Sequence, residues 1–313
     1  MQLKSSTLAY LVSFVLLLVA PAFLYPVLVM KVLCFALFAC AFNLLLGYTG
    51  LLSFGHAIFL GTAGYVAGHA VKVWALPALA GIAVGMLSAA ILGWLVGLLA
   101  IRRQGIYFAM ITLALAQLMF FVFLQAPFTG GEDGLQSVPR GSLLGLDLAN
   151  DINMYYLVVV LFAGSFWLIH RTVHSPFGQI LKAIRENEPR ATSLGYDVAR
   201  YKLVAFVLSA AIAGLAGATK TLVFSFVTLT DAHWHTSGEV VLMTLLGGVG
   251  TVLGPVLGAT IVVALQNLLA DKVGSLVTVI MGIIFVVCVL AFRRGIVGEA
   301  VALYHRMLGE KVR

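Results

Sequence analysis

The chain has 313 residues, 62% of them hydrophobic and only 10% charged, against about 25% charged in soluble domains, and its formal net charge is +7. Its mean hydropathy of +1.07 exceeds what a water-facing core can absorb, so most of this surface must meet lipid. A soluble enzyme and a nucleic-acid binder are both excluded, because the cations sit at the ends of apolar runs, where membrane orientation places them.

Continuous apolar runs, not alternating segments of about ten residues, point to an all-α, polytopic transmembrane helical bundle and away from a β-barrel. At the N-terminus, Lys4 precedes an apolar run from Leu8. Pro21 interrupts Ala20-Pro21-Ala22, so no small-residue cleavage site follows and the run is expected to be a retained first span. With about twenty apolar residues per crossing, spans are expected near 8–29, 32–46, 56–71, 76–100, 105–125, 154–171, 203–225, 238–249, 255–270 and 275–292. Of these ten, 32–46 and 238–249 are too short for a plain crossing and adjoin glycine-rich breaks. They are expected to be half-helices or re-entrant segments covered by protein or by a watery cavity. Cys34, Cys40 and Cys288 lie inside apolar runs and form neither disulfide nor metal spacing.

Ten crossings put both termini on one side. Fourteen of the nineteen lysines and arginines then share that side, four (Lys31, Lys72, Arg140, Lys272) face the other, and Lys220 falls within a span. The excess marks the first side as cytoplasmic, and the 126–153 loop, with Glu132, Asp133, Asp147 and Asp151, as external.

Between the second and third spans, Gly47, Gly50 and Gly55 break a helix at membrane depth, with Asn43, Ser53 and His56 as the polar groups there. Freed backbone groups beside Ser53 and His56 can meet an amino acid's ammonium and carboxylate; alternatively His56 is a satisfied packing residue at a helix break. Leu45-Leu46-Gly47-Tyr48-Thr49-Gly50 is echoed by Leu245-Leu246-Gly247-Gly248-Val249-Gly250. Paired glycine-interrupted segments mark binding sites in transporters, so Asn43, Gly47, Gly50, Ser53, Gly55, His56, Gly247, Gly248 and Gly250 are candidates for a substrate path.

A charged island lies at 174–202. Ser175 is placed to cap a helix begun by Pro176. Ile180, Leu181 and Ile184 make an apolar stripe, with Lys182, Arg185, Glu186 and Glu188 elsewhere around the axis. Pro189 interrupts the pattern, and Gly195 ends the short segment after it. One or two short amphipathic helices parallel to the membrane are expected, either a docking surface for a soluble partner or a loop resting on lipid headgroups. Further along, Lys220 is expected to snorkel or to pair structurally, and Glu239, Gln266 and Asn267 raise the same question. Asp231, His233 and His235 have ligand-like spacing but no complete zinc set, and are expected in a wet external loop.

Three stretches resemble the LivM-type inner-membrane permease subunit of branched-chain amino acid ABC importers. They are Asn43 through Ala57; Ser175-Pro176-Phe177-Gly178 through Ala183-Ile184-Arg185-Glu186-Asn187-Glu188, with Leu194-Gly195, Tyr201-Lys202 and Ala205-Phe206; and Gly247 through Thr251 with Gly254 through Ala259. Together they span about residues 30 to 290. The resemblance implies one permease domain over 1–313, containing a cytoplasmic coupling segment at 174–202, in a bacterial inner (plasma) membrane. It implies a heterodimer with a second related permease, two ATPase subunits beneath and a periplasmic or extracellular substrate-binding protein. No cofactor is expected on this chain; ATP and Mg would sit on the ATPases. The coupling residues implied are Pro176, Phe177, Gly178, Lys182, Ala183, Ile184, Arg185, Glu186, Asn187, Glu188, Ala191 and Gly195. The general Glu-Ala-Ala…Gly coupling pattern is degenerate here, with Pro189 and Arg190 departing from it.

Neither a G-x-x-x-x-G-K-[ST] phosphate loop nor a G-x-G-x-x-G unit is present. The resemblance makes the leading expectation import of branched-chain or similar hydrophobic amino acids by alternating access, driven by ATP hydrolysed elsewhere. The resemblance also implies an alternative, a permease of the same architecture carrying urea or short amides. An ion-coupled secondary carrier would need a membrane-embedded carboxylate, and only Glu239 and Asp271 come near. An intramembrane enzyme would need a convergent catalytic set, and H-E-x-x-H, G-x-S-x-G and paired aspartates within spans are all missing.

Overall fold

Two prolines shape the entry of the chain into the bundle. In the computed structural model, which describes residues 17–143, 146–291 and 295–299, Pro21 sits in a single 3-10 turn (Ala20–Ala22) and Pro26 opens the long helix α1 (Pro26–Thr49). Proline at a first helical position sacrifices no intrahelical hydrogen bond and arrives with a helical φ. The expected division into 8–29 and 32–46 is corrected accordingly: residues 26–49 form one helix of 24 residues, about 36 Å long, and 32–46 is no half-helix. Residues 8–16 of the expected first span lie outside the described residues.

The chain continues through α2 (Ala57–Lys72), α3 (Ala78–Ala100), α4 (Ile106–Gln125) and α5 (Asp151–Val173). Two short helices, α6 (Pro176–Glu186) and α7 (Glu188–Ser193), precede the longest element, α8 (Val198–Phe224). Then come α9 (Trp234–Gly247), α10 (Gly254–Val273) and α11 (Val277–Ala291). Among the described residues, α1, α3, α4, α5 and α8 are long and apolar enough to cross a membrane. At 14 residues α9 is short, as expected of 238–249. The architecture is the all-α polytopic bundle that the sequence predicts.

The core is organised around α1, which is buried along nearly its whole length and packs against α5, α8, α9 and α10. Alongside it, α8 also runs against α2 and α3. Small residues allow this approach in a solvent that gives helices no hydrophobic push together. On α8, Gly217 lies so close to α2 that a Cβ there would run into the Leu60 carbonyl.

The bundle end away from α6 and α7 is closed by two connections. Leu135, between α4 and α5, forms an antiparallel bridge with Val227, between α8 and α9. The Val138 N–H donates to the Ser225 carbonyl at 2.8 Å, and Arg140 donates to Asp151 at 2.6 Å and to the Val223 carbonyl at 2.7 Å. A two-residue antiparallel ladder, Ser142–Leu143 with Leu146–Asp147, is the one strand pairing among the described residues.

Candidate functional site

The charged island is built from local signals. The Ser175 hydroxyl accepts the Gly178 N–H at 3.4 Å and donates to the Thr172 carbonyl at 2.6 Å. Asn187, with extended backbone at φ −157°, closes α6 and also caps α7, its Oδ1 accepting the Arg190 N–H at 3.0 Å. Pro189 then occupies the first turn of α7, and Gly195, at φ +87°, lies just past its end. Two helices therefore meet at a joint one residue wide.

These helices are strongly two-faced. Gly178, Leu181, Ile184 and Ala191 are buried, while Pro176, Gln179, Ala183, Glu186, Asn187 and Arg190 are exposed or half-buried on the outer side. Phe177 stacks on Tyr201, ring centroids 5.7 Å apart. Glu188 turns back toward the bundle, accepting from Lys202 at 2.6 Å and from Gln104 at 2.8 Å; the Lys202 side chain is only 5% exposed.

Two cations of α6 reach inward. Arg185 donates from Nη1 to the Gly47 carbonyl at the C-terminal end of α1, and the Lys182 ammonium stands 5.8 Å from the Tyr48 ring centroid. Cations are favoured at a helix C-terminus, where carbonyls lack intrahelical partners. That end of α1 finishes on Gly50 at φ +76°, a left-handed cap that glycine adopts without a Cβ penalty.

Directly beside it lies the second glycine break. Asn43 Nδ2 donates to the Thr251 carbonyl at 2.8 Å while its Oδ1 accepts the Gly250 N–H at 2.9 Å. A Cβ on Gly47 would stand 2.7 Å from Gly250 N and 2.9 Å from Gly250 Cα. Gly248 and Gly250 have φ of +118° and +81°, and Gly247 lies against the Gly254 carbonyl. The two echoing segments, some 200 residues apart in sequence, are therefore in contact with each other and, through Arg185, with α6.

The candidate path residues thus divide. Asn43, Gly47, Gly50, Gly247, Gly248 and Gly250 gather at the α6 end. Ser53, Gly55 and His56 turn back into the interior, where Gly55 lies against the Thr112 carbonyl and Ser53 and His56 are fully buried. The Phe54 N–H donates to Thr112 Oγ1 at 3.2 Å and the Ala57 N–H to Ser237 Oγ at 2.9 Å. His56 Nε2 lies 3.1 Å from Ser209 Oγ, whose own proton goes to the Ala41 carbonyl at 2.5 Å. With that proton committed, Ser209 can only accept, so Nε2 carries the hydrogen and Nδ1 is a lone-pair acceptor. Nδ1 has no hydrogen-bond partner among the described residues; Phe38, Phe42 and Phe59 box the ring at centroid distances of 5.3 to 5.8 Å. Ser209, Ser237 and Thr112 carry no signal in the sequence, because isolated hydroxyl residues in apolar helices usually bond their own backbone.

Lys220 does not snorkel. It pairs with Asp231, the two side chains 11% and 10% exposed. The expectation that Asp231 lies in a wet loop is thereby corrected: Lys220 holds it inside. His233 Nδ1 accepts the His235 N–H at 3.3 Å, capping α9; burial first, then neighbouring His235, lowers its pKa, a shift in the direction that favours the neutral acceptor this cap needs. Glu239 accepts from Gln266 at 3.0 Å. Among the described residues no group of three His, Cys, Asp or Glu is arranged to hold a metal ion.

A model of the family described as "Branched-chain amino acid transport system / permease component" matches residues 26–289. The chain is 28% identical over 258 residues to the high-affinity branched-chain amino acid transport system permease protein LivM of Salmonella typhimurium, and equally to the protein of that name from Escherichia coli. Each match covers 73% of this chain and 60% of the relative. Identity is 30% over 153 residues, 45% of this chain and 42% of the relative, to the autoinducer 2 import system permease protein LsrC of Klebsiella pneumoniae. No solved structure matches the chain.

Proposed function

The chain belongs to the family of branched-chain amino acid transport system permease components, and from that membership we propose that it is the transmembrane permease subunit of an ATP-driven importer. It would carry leucine, isoleucine, valine or similar amino acids inward by alternating access. A second related permease would complete the pathway, two ATPases would supply ATP and Mg chemistry, and a periplasmic or extracellular binding protein would deliver the substrate. The side bearing α6 is assigned to the cytoplasm of a bacterial inner membrane by its cationic excess.

The observation that carries this reading is the two-faced α6–α7 pair. Its outer face, including Gln179, Glu186 and Arg190, is exposed at the end of a bundle otherwise made of apolar helices. Its inner face grips Gly47, at the end of the central helix. Closure of the ATPases against the outer face would displace α6. Arg185 would pass that displacement to α1 and, through Asn43, to the 248–251 turn. Two remote parts of the bundle would then move on one stroke. The interior polar set around Ser53, His56 and Ser209 is the candidate path lining, and its lack of fixed charge suits apolar amino acids better than ions. Of the two carboxylates a carrier mechanism would call on, Glu239 is bonded to Gln266, and the side chain of Asp271 lies outside the described residues.

The test uses the assembled transporter in sealed vesicles. Glu186→Arg, on the exposed face, should abolish substrate uptake while the ATPases still hydrolyse ATP and the permease keeps its unfolding temperature. Unimpaired coupled uptake by this variant would refute the lever assignment.

A further inference from the structure

A groove of about 630 Å³ runs along α4 and the turn before it, lined by Arg103, Tyr107, Met110, Ile111 and Ala114. Tyr107, Met110 and Ala114 are spaced three and four residues apart and so share one stripe of the helix. Tyr107 is 67% and Met110 60% exposed, and few α4 side chains are buried against the bundle, so this stripe looks outward into the hydrocarbon. The depth of the groove mouth is set by its neighbour. Gln104 donates to Glu188 at 2.8 Å, which holds the Arg103 turn level with α7, at the boundary between lipid and water.

The groove therefore has two kinds of wall. At the boundary stands a guanidinium, always charged and forked to suit phosphate oxygens, next to an aromatic ring of the type that settles among headgroups. Toward the membrane centre the walls are apolar. No acidic side chain lines it among the described residues. That pairing of a cationic mouth with an apolar floor complements one molecule class, an amphiphile with an anionic head and a hydrocarbon tail. We propose that this groove binds an anionic phospholipid, its phosphodiester on Arg103 and an acyl chain along Tyr107, Met110 and Ala114. A zwitterionic lipid is disfavoured because its ammonium group would be brought toward Arg103.

Occupancy has a consequence for the lever. Arg103 adjoins Gln104, and the Gln104–Glu188–Lys202 bridge fastens α7 to the bundle alongside the apolar seat of Ala191 with Ile184 and Val198. A lipid bound there braces the turn on which α7 is held, and should raise coupled ATPase activity. This second statement rests on the coupling role proposed above; the binding does not.

The two are tested separately. Full-length protein in nanodiscs is irradiated with phosphatidylglycerol carrying a photoreactive acyl chain, and labelled peptides are mapped by mass spectrometry. Labelling within 103–114 is expected, competed by unlabelled phosphatidylglycerol but not by phosphatidylcholine or inorganic phosphate. Arg103→Gln should reduce it about fivefold, the effect of one basic residue at an anionic surface, while labelling around exposed Trp167 stays constant. Equal labelling by a phosphatidylcholine probe, competition by inorganic phosphate, indifference to Arg103→Gln, or loss of labelling once the other subunits are present would each overturn the site. If selective labelling is found but phosphatidylglycerol leaves the ATPase rate of the assembled transporter unchanged, the lipid site stands and its link to the lever fails.

Discussion

Replacing Gly47 by alanine probes the contact on which the proposed coupling depends. The new Cβ would stand 2.7 Å from Gly250 N and 2.9 Å from Gly250 Cα, and would collide with Asn43 Oδ1. Comfortable contact begins at about 3.5 Å, so backbone must separate by about 0.6 to 0.8 Å. Neither neighbour is a flexible chain end that can swing aside. Asn43 holds the 250–251 turn through bonds of 2.8 and 2.9 Å, which such a shift stretches to the limit of a useful hydrogen bond. Overpacking costs about 1–3 kcal/mol, and two weakened hydrogen bonds about 1 kcal/mol more. A loss of roughly 2–4 kcal/mol is expected on those grounds, read as a lowered unfolding temperature in nanodiscs. Gly164→Ala is the comparison, because a Cβ at that α5 position meets nothing within 4 Å; it should change stability little. In reconstituted transporters, Gly47→Ala should reduce uptake per ATP consumed. A variant as stable as Gly164→Ala, with normal uptake per ATP, would show that the two glycine breaks are not held together as described.

Three further substitutions test the polar framework. Lys220→Met strands Asp231 as an unpaired buried carboxylate and should cost about 3–5 kcal/mol, most of it regained in Lys220→Met/Asp231→Asn; unfolding curves of the single and double variants decide this. Asn43→Ala removes both bonds to the 250–251 turn and should destabilise by about 1–3 kcal/mol. Asn43→Asp should recover only part of this, because a carboxylate accepts from Gly250 but repels the Thr251 carbonyl, and thermal unfolding of the pair measures it. Glu188→Gln leaves the nearly buried Lys202 ammonium without its counter-ion and should cost about 1–3 kcal/mol, less than a fully buried pair because Glu188 is 26% exposed; faster proteolysis within 186–195 is the readout.

What the sequence made legible was whatever is decided by neighbours along the chain. Ser175, Pro176, Pro189 and Gly195 announce two short helices because capping and proline sterics act within four residues, and the helices form there. The same local logic failed at Pro26. The run from Leu8 is apolar on both sides of that proline, so hydropathy alone drew one span through it, whereas the fixed φ of proline starts a helix at that point. Pairings across the chain were beyond reach. Lys220 and Asp231 each stood out as costly or ligand-like, yet their union depends on how α8 and the following turn fold back. The echo of 45–50 in 245–250 was visible as composition. That Asn43 would rivet one to the other is a property of packing between α1 and the 248–251 turn, and no periodicity in either segment encodes it. Likewise, the division of the candidate path residues between the α6 end and the interior comes from the 50–56 segment doubling back beside α1.

Asn187 belongs to two helices at once, and this leaves the island no slack in length. One residue inserted at that joint would turn the start of α7 through about 100°, swinging Ala191 out of its apolar seat with Ile184 and Val198 and presenting Arg190 in a different direction. A deletion would do the same in the opposite sense. The segment can therefore tolerate changes of side chain on its outer face far more readily than any change in the number of its residues.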